Sequence, residues 1–328
     1  MRAAFAMREG LQFQLFAPQD LARLDRAVEI DVTQTVTSFA GADLADCEIL
    51  VTGWGCPSID EVVLEGLPAL RAVVHAAGSV KHHLHPAVWE RGITVTSAVA
   101  ANARPVAEMT LALVLLAGKK AVPVAREFAR SQEFIDLPIA YPTIGNFRTR
   151  IGIIGASTIG RLVIEMLRGF DVFVDVFDPF LTPDDAARLG VRSRPLRELL
   201  TDADVVSVHA PALPETHHLL GAAELALLRD GATVINTARG SLIDHDALLP
   251  QLRSGRLDAM LDVTEPEPLP RGHELFRLPN VLLTPHLAGA QGTELLRLGA
   301  SATDEVVALA TGGAARHPVP ASSLNSIA

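Results

Sequence analysis

The chain has 328 residues, 49% hydrophobic and 20% charged, with 28 Lys and Arg against 38 Asp and Glu for a formal charge of −10. That length exceeds one comfortable core and predicts two domains, and the composition excludes a disordered polymer. The acidic balance, unbroken by any basic block, argues against nucleic acid as a partner, because affinity for phosphate backbones rests on clustered Lys and Arg.

The N-terminus, MRAAFAMREGLQFQLF, lacks the apolar core of a secretory signal, and the first 45 residues carry no usable motif. Cys47 and Cys56 lack C-x-x-C spacing and suggest no disulfide framework. Strands are predicted at Glu48–Thr52, Arg71–His75 and Ile93–Thr96, with a helix over Ser58–Gly66 closed by glycine. Trp54 and Trp89 read as packing residues. The cluster Lys81-His-His-Leu-His85 invites a metal reading, but no Cys or carboxylate stands at ligand spacing beside His82, His83 and His85. A solvated or substrate-loop role is the expectation, and no metal is expected.

A helix is predicted from Arg104 to Lys120, with Pro105 in its first turn and apolar residues nearly all round, which predicts burial. Its apolar run, Val106 to Ala117, is too short to span a bilayer. No membrane partner and a reducing, cytoplasmic setting are expected. Val122–Phe147, with Pro123, Pro138 and Pro142, reads as an extended connection or an arm covering a partner subunit.

The middle of the chain alternates strands and helices. Strands are predicted at Arg150–Ile154, Val172–Phe177, Asp204–His209, Ala232–Asn236, Leu257–Asp262 and Val281–Thr284. Helices are predicted at Thr158–Gly169, Thr182–Gly190, Ala222–Leu228 and Asp244–Ser254. Six strands linked this way predict a doubly wound parallel sheet, with ligands beyond the strand C-terminal ends. A last helix is predicted over Glu294–Leu309, followed by a loose tail from Thr311.

Ile151-Gly-Ile-Ile-Gly-Ala-Ser-Thr-Ile-Gly160 follows a predicted strand and opens a predicted helix, the setting of a dinucleotide-binding loop. Gly155 suits the tight turn and Gly160 close helix–strand packing. Ser157 replaces the middle glycine, but amides at Ser157, Thr158 and Ile159 would still face an anion at a helix N-terminus. Asp178 ends the next strand, where a carboxylate can accept from both ribose hydroxyls and would repel a 2′-phosphate. NAD is therefore expected as cofactor, with NADP disfavoured.

Three strings carry polar chemistry: Asn-Thr-Ala-Arg-Gly at 236–240, Asp-Val-Thr-Glu-Pro-Glu-Pro at 262–268, and Thr-Pro-His at 284–286. A guanidinium such as Arg239 can hold a carboxylate and a carbonyl oxygen in one plane. A carboxylate such as Glu267 can orient a histidine and favour its charged form, although Glu265 is a close rival. A protonated His286 can deliver a proton to a ketone oxygen. His209 ends a strand beside the expected nicotinamide position, where a structural role is as plausible as a direct one.

With Asn102-Ala-Arg-Pro-Val-Ala-Glu108, the 151–160 loop, Val208-His-Ala-Pro211, Leu261-Asp-Val263 and Leu283-Thr-Pro-His286 in register, the chain resembles the D-isomer-specific 2-hydroxyacid dehydrogenase family, which includes glyoxylate/hydroxypyruvate reductases and phosphoglycerate dehydrogenases. The resemblance runs from about residue 45 to about residue 300, with Thr264 at a position often aromatic in the family. It implies two Rossmann-like α/β domains: a doubly wound parallel sheet for NAD over 102–292, and a smaller flavodoxin-like α/β substrate domain over 1–101 and 293–328. It implies an active site between them and a homodimer built largely through the cofactor domains. Arg239, Glu267 and His286 would be the catalytic set, and Ala77, Gly78 and Ser79 would grip a substrate carboxylate. Cofactor contacts would extend over His209, Ala210, Pro211, Thr216, Thr237, Ala238, Asp262, Ala288 and Gly289, with Asp262 near the nicotinamide carboxamide. The implied reaction is hydride exchange between NAD(H) and a small 2-keto or D-2-hydroxy acid. Two other readings stay open: a non-catalytic NAD(H)-sensing, corepressor-like interaction protein, and formate oxidation, against which the acid partner of the histidine argues.

Overall fold

The structure, a computed structural model, describes residues 1–81 and 83–323; His82 and residues 324–328 lie outside the described set. Two compact units divide the described residues: Met1–Ala103 with Ala290–Ser323, and Arg104–Gly289. Each is built on an all-parallel sheet.

The first unit holds β1 (Ala3–Ala6), β2 (Thr35–Val36), β3 (Ile49–Thr52), β4 (Ala72–His75) and β5 (Thr94–Ser97). Their order, β2-β1-β3-β4-β5, is the flavodoxin-like one. Period-two alternation sends Ile49, Val51 and Val74 to one core and Leu50, Val73 and Val95 to the other, so both faces are covered. The helix Leu295–Ala310 packs against the helix Pro18–Ala27 and puts Leu298, Ala302 and Val306 into the first of these cores.

The second unit holds β6 (Arg150–Ile154), β7 (Phe173–Phe177), β8 (Arg192–Ser193), β9 (Val205–Val208), β10 (Thr233–Asn236), β11 (Asp258–Leu261) and β12 (Val281–Leu283). The order is β12-β11-β10-β9-β6-β7-β8, doubly wound with the switch point between β6 and β9. All pairings are parallel. The loops that follow β6, β7, β9, β10, β11 and β12 therefore leave one edge of the sheet.

Several expectations are corrected. The opening residues, without motif, supply β1, β2 and the helix Pro18–Ala27. The sheet expected to have six strands gains β8, a two-residue exposed edge strand, with the helix Leu196–Asp202 after it. The apolar helix begins at Val99 and runs 20 residues to Gly118, which puts Pro105 inside it. Pro105 lacks the N–H that would reach the Ala101 carbonyl. By length and composition this helix could cross a bilayer, unlike the shorter run Val106–Ala117. Only part of it is covered: Ala107, Leu113, Val114 and Ala117 enter the core, whereas Arg104, Glu108, Ala112 and Leu116, four apart, form an exposed stripe. Val122–Phe147 is not extended throughout; it contains helices Ala121–Ser131 and Leu137–Ala140, with Lys120 in the left-handed region. The tail is anchored as far as Val319. Buried Glu305 accepts from the amides of Arg316 and His317, Val319 N donates to Val95 O, and Trp89 Nε1 donates to Val319 O at 2.7 Å. Trp54, expected to pack, is 43% exposed.

Candidate active site

The loop after β6 needs its two outer glycines. Gly155 has φ +97°, and a Cβ there would lie 2.6 Å from Ala210 N; a Cβ on Gly160 would lie 2.1 Å from Gly155 O. Ser157 sits at φ −63°, which any residue adopts, so the backbone does not require the missing glycine. Its hydroxyl instead caps the helix Thr158–Leu167, accepting from Gly160 N at 3.3 Å. The first-turn amides of Thr158 and Ile159 have no intrahelical acceptor and are suited to an anion. Asp178, after β7, accepts from Ala156 N at 2.7 Å and Phe180 N at 2.8 Å. Its carboxylate is thus tied to the glycine loop, with a lone pair left on each oxygen for a further donor.

The loop after β10 is shaped by Asn236, which is fully buried. Its Oδ1 accepts from Ala238 N at 3.0 Å and its Nδ2 donates to Arg239 O at 2.8 Å. Thr237 shares a 2.8 Å hydroxyl contact with Thr110, whose own hydroxyl reaches Val106 O. A Cβ on Gly240 would lie 2.1 Å from both Thr264 C and Thr264 O, so this loop crosses directly over the one after β11. Arg239 Nη1 donates to Ala238 O, and no ion pair within 4 Å engages the guanidinium among the described residues. Burial pushes its pKa down and the charge of Glu267 partly restores it.

Asp262, after β11, organises the loop after β12. It is buried and takes Thr284 Oγ1 at 2.5 Å, Leu287 N at 2.9 Å and Ala288 N at 2.9 Å, while its backbone carbonyl takes His286 N at 2.9 Å. Its carboxylate thus fixes the histidine loop, with a lone pair left on Oδ2. His286 sits at φ +54°, a conformation rare for a residue with a side chain. Its Nδ1 lies 2.7 Å from Glu267 Oε1, and Nε2 makes no hydrogen bond among the described residues. Both side chains are solvent-accessible, 48% and 40% exposed. The partner is Glu267; its rival Glu265 stands instead beside His217 and His218.

His209 is fully buried with Nε2 2.9 Å from Ser207 Oγ, and desolvation holds its pKa down at about 4. It is a neutral ring supporting the turn that Gly155 abuts. Thr216 spends its hydroxyl on its own loop, accepting from Leu213 N and donating to Pro211 O. Ala288 is buried beside Asp262, followed by Gly289.

In the first unit, Ala77, Gly78 and Ser79 follow β4. A Cβ on Gly78 would sit 3.5 Å from Asn102 Nδ2, and Asn102 Oδ1 accepts from Ala290 N at 2.9 Å. Nearby lies a polar group that sequence reasoning missed. Thr52 Oγ1 contacts His75 Nδ1 at 2.9 Å and His83 Nε2 at 3.3 Å, with the two rings 4.5 Å apart. Burial, and secondly the His83 charge, hold His75 well below the usual histidine range. Thr52 and His75 end adjacent strands, but a lone apolar-flanked histidine carries no sequence signal for this.

Comparisons with known proteins bear on the family and the fold. A family model described as the NAD binding domain of D-isomer specific 2-hydroxyacid dehydrogenase matches residues 111–288. A D-3-phosphoglycerate dehydrogenase of Mycobacterium tuberculosis is 34% identical over 250 residues, covering 76% of this chain and 47% of that protein, so the match spans about half of that relative's length. A glyoxylate reductase of Korarchaeum cryptofilum is 32% identical over 272 residues, covering 81% of each chain. The crystal structure of a phosphoglycerate oxidoreductase from Rhizobium etli superposes with a TM-score of 0.82 at 25% identity, covering 98% of both chains. The matched segment contains the glycine loop, Asp178, Arg239, Glu267 and His286, and the strand order is that of a dinucleotide-binding sheet. The chain belongs to the D-isomer specific 2-hydroxyacid dehydrogenase family.

Proposed function

We propose that the protein interconverts a small 2-keto acid and the corresponding D-2-hydroxy acid with NAD(H). The observation that carries this reading is the 2.7 Å pair of His286 Nδ1 and Glu267 Oε1, at the sheet edge that also bears the glycine loop and Arg239. When bound, the cofactor supplies or accepts the hydride. Gly155, Ser157, Thr158, Ile159 and Gly160 would hold its pyrophosphate, and Asp178 its ribose. The residues fit that group: the first-turn amides are unpaired within the helix, and Asp178 is fixed by two backbone donors.

The chain's own residues do the rest. Arg239, desolvated and free of a carboxylate partner, binds the substrate carboxylate and carbonyl oxygen, where a buried guanidinium attracts an anion more strongly than a solvated one. His286 gives its Nε2 proton to the oxygen as charge develops there, and Glu267 holds the far nitrogen and orients the ring. In the reverse direction neutral His286 takes the proton. Ala77, Gly78 and Ser79 are kept as substrate contacts on the family resemblance.

The test follows NADH oxidation at 340 nm with glyoxylate, hydroxypyruvate, pyruvate, 2-ketobutyrate, phenylpyruvate and 3-phosphohydroxypyruvate. At least one should turn over, and His286→Ala should lower kcat by about 10²–10⁴ with NADH binding intact. Silence across the panel with NADH bound would point away from catalysis, and full activity in His286→Ala would remove the proton-donor role.

A further inference from the structure

We propose that His217, His218 and Glu265 form a binding site for one divalent transition-metal cation of the zinc class, separate from the His286–Glu267 pair. The three ligand atoms lie within 4.8 Å of one another. Glu265 Oε2 is 3.7 Å from His217 Nε2 and 3.6 Å from His218 Nε2. These separations are too long for hydrogen bonds. They are close to the roughly 3.3–3.5 Å between donors that a tetrahedral ion with bonds of about 2.0–2.2 Å imposes. Glu265 makes no side-chain hydrogen bond among the described residues, and the three groups are solvent-accessible, so an ion can reach them.

The local backbone brings the donors together. His218 sits at φ +52°, in the left-handed region, and its amide donates to Ser241 O at 2.7 Å. That turn stacks the two imidazoles, with centroids 3.9 Å apart and planes at 24°. This left-handed turn, uncommon for a non-glycine residue, leaves both Nε2 atoms within 4 Å of one carboxylate oxygen. The Thr216 hydroxyl ties down the preceding loop. Glu265 is held from the other side, because its backbone runs against Gly240, whose Cβ would lie 2.7 Å from Glu265 N. Asp244 Oδ2 lies 3.9 Å from His218 Nδ1, the nitrogen opposite the cluster, and Asp244 is itself fixed by capping Ala247 N at 3.0 Å.

Two neutral imidazoles and one carboxylate make an N₂O set with a fourth position left for water, which suits zinc or cobalt better than calcium or magnesium.

The experiment uses the full chain without an affinity tag, stripped with chelator, and titrates Co(II) by visible absorption and Zn(II) by competition. One equivalent should bind and give the absorption of tetrahedral Co(II). Glu265→Gln, and separately His217→Gln with His218→Gln, should weaken binding by about tenfold or more. His85→Gln, in the other histidine-rich stretch, should leave it unchanged. No saturable binding below millimolar metal, or equal affinity in Glu265→Gln and the unaltered chain, would overturn the proposal. So would loss of binding in His85→Gln. Circular dichroism checks that each variant is folded, and no readout depends on turnover.

Discussion

Single residues here owe their chemistry to where the sheet leaves them. Asp178 is held by Ala156 N and Phe180 N, so its charge stays at the end of β7. A 2′-phosphate there would meet that charge at short range, where repulsion amounts to a few kcal/mol, about 4 at an effective dielectric of 20. Asp178→Ala should therefore raise the NADPH/NADH ratio of kcat/KM by at least about tenfold. An unchanged ratio in steady-state assays would show that preference is set elsewhere. His209 supports a different prediction. Its folded pKa of about 4 lies below the ordinary 6.5, because burial disfavours the imidazolium. Between those values the unfolded chain binds a proton that the folded chain does not, so stability rises with pH. The contribution is full above about 6.5 and is lost as pH falls towards 4. Its ceiling is on the order of 3 kcal/mol, from about 1.4 kcal/mol per pKa unit. His75, also held neutral by burial, adds in the same direction. Urea unfolding at pH 7 and pH 5 should show the loss, and His209→Gln should flatten it. An identical slope in that variant would exclude His209 as the source.

At the scale of elements, the site depends on one loop crossing another. Gly240 lets the Arg239 loop lie directly on Thr264, in the segment that carries Glu267. Alanine at 240 would put a methyl 2.1 Å from backbone atoms that cannot rotate away. We expect a cost of about 3 kcal/mol or more, a fall of roughly 6–12 °C in Tm, and loss of turnover. Scanning calorimetry decides it: a wild-type Tm would mean that the two loops are not in register as described. This crossing was not legible in the sequence, although both of its strings were. Buried parallel strands write themselves as continuous apolar runs, which is why β6, β9, β10 and β11 stand within a residue or two of their expected limits. β1 is Ala-Ala-Phe-Ala and β8 two exposed residues, and neither carries such a run. The helix Ala121–Ser131 was hidden by Pro123, which in a first turn costs nothing. The His286–Glu267 pair could be read because both residues fall in marked motifs. The support that Asp262 gives the His286 loop, and the meeting of Glu265 with His217 and His218, could not, since each joins residues far apart in the chain.

For the whole molecule, the open question is what covers the apolar surface of the second unit. The helix Ala121–Ser131 has no buried residue. Leu116, Phe128, Phe134, Ile139 and Phe147 are exposed, Phe134 at 91%. Soluble chains seldom leave that many large apolar side chains in one stretch of sequence open to water, and a two-fold contact between copies is the commonest way to remove them. The family resemblance, which implies a homodimer built largely through the cofactor domains, supports the same reading. We expect light scattering behind gel filtration to give about twice the chain mass of 34.9 kDa. Phe128→Asp with Phe134→Asp would place two desolvated charges in such a contact and should return the monomer. Because neither residue belongs to the sheet edge that bears Arg239 and His286, NADH binding to the dissociated chain should survive. A monomer in the unaltered protein at micromolar concentration, or an unchanged dimer in the double variant, would mean that this surface serves something other than self-association.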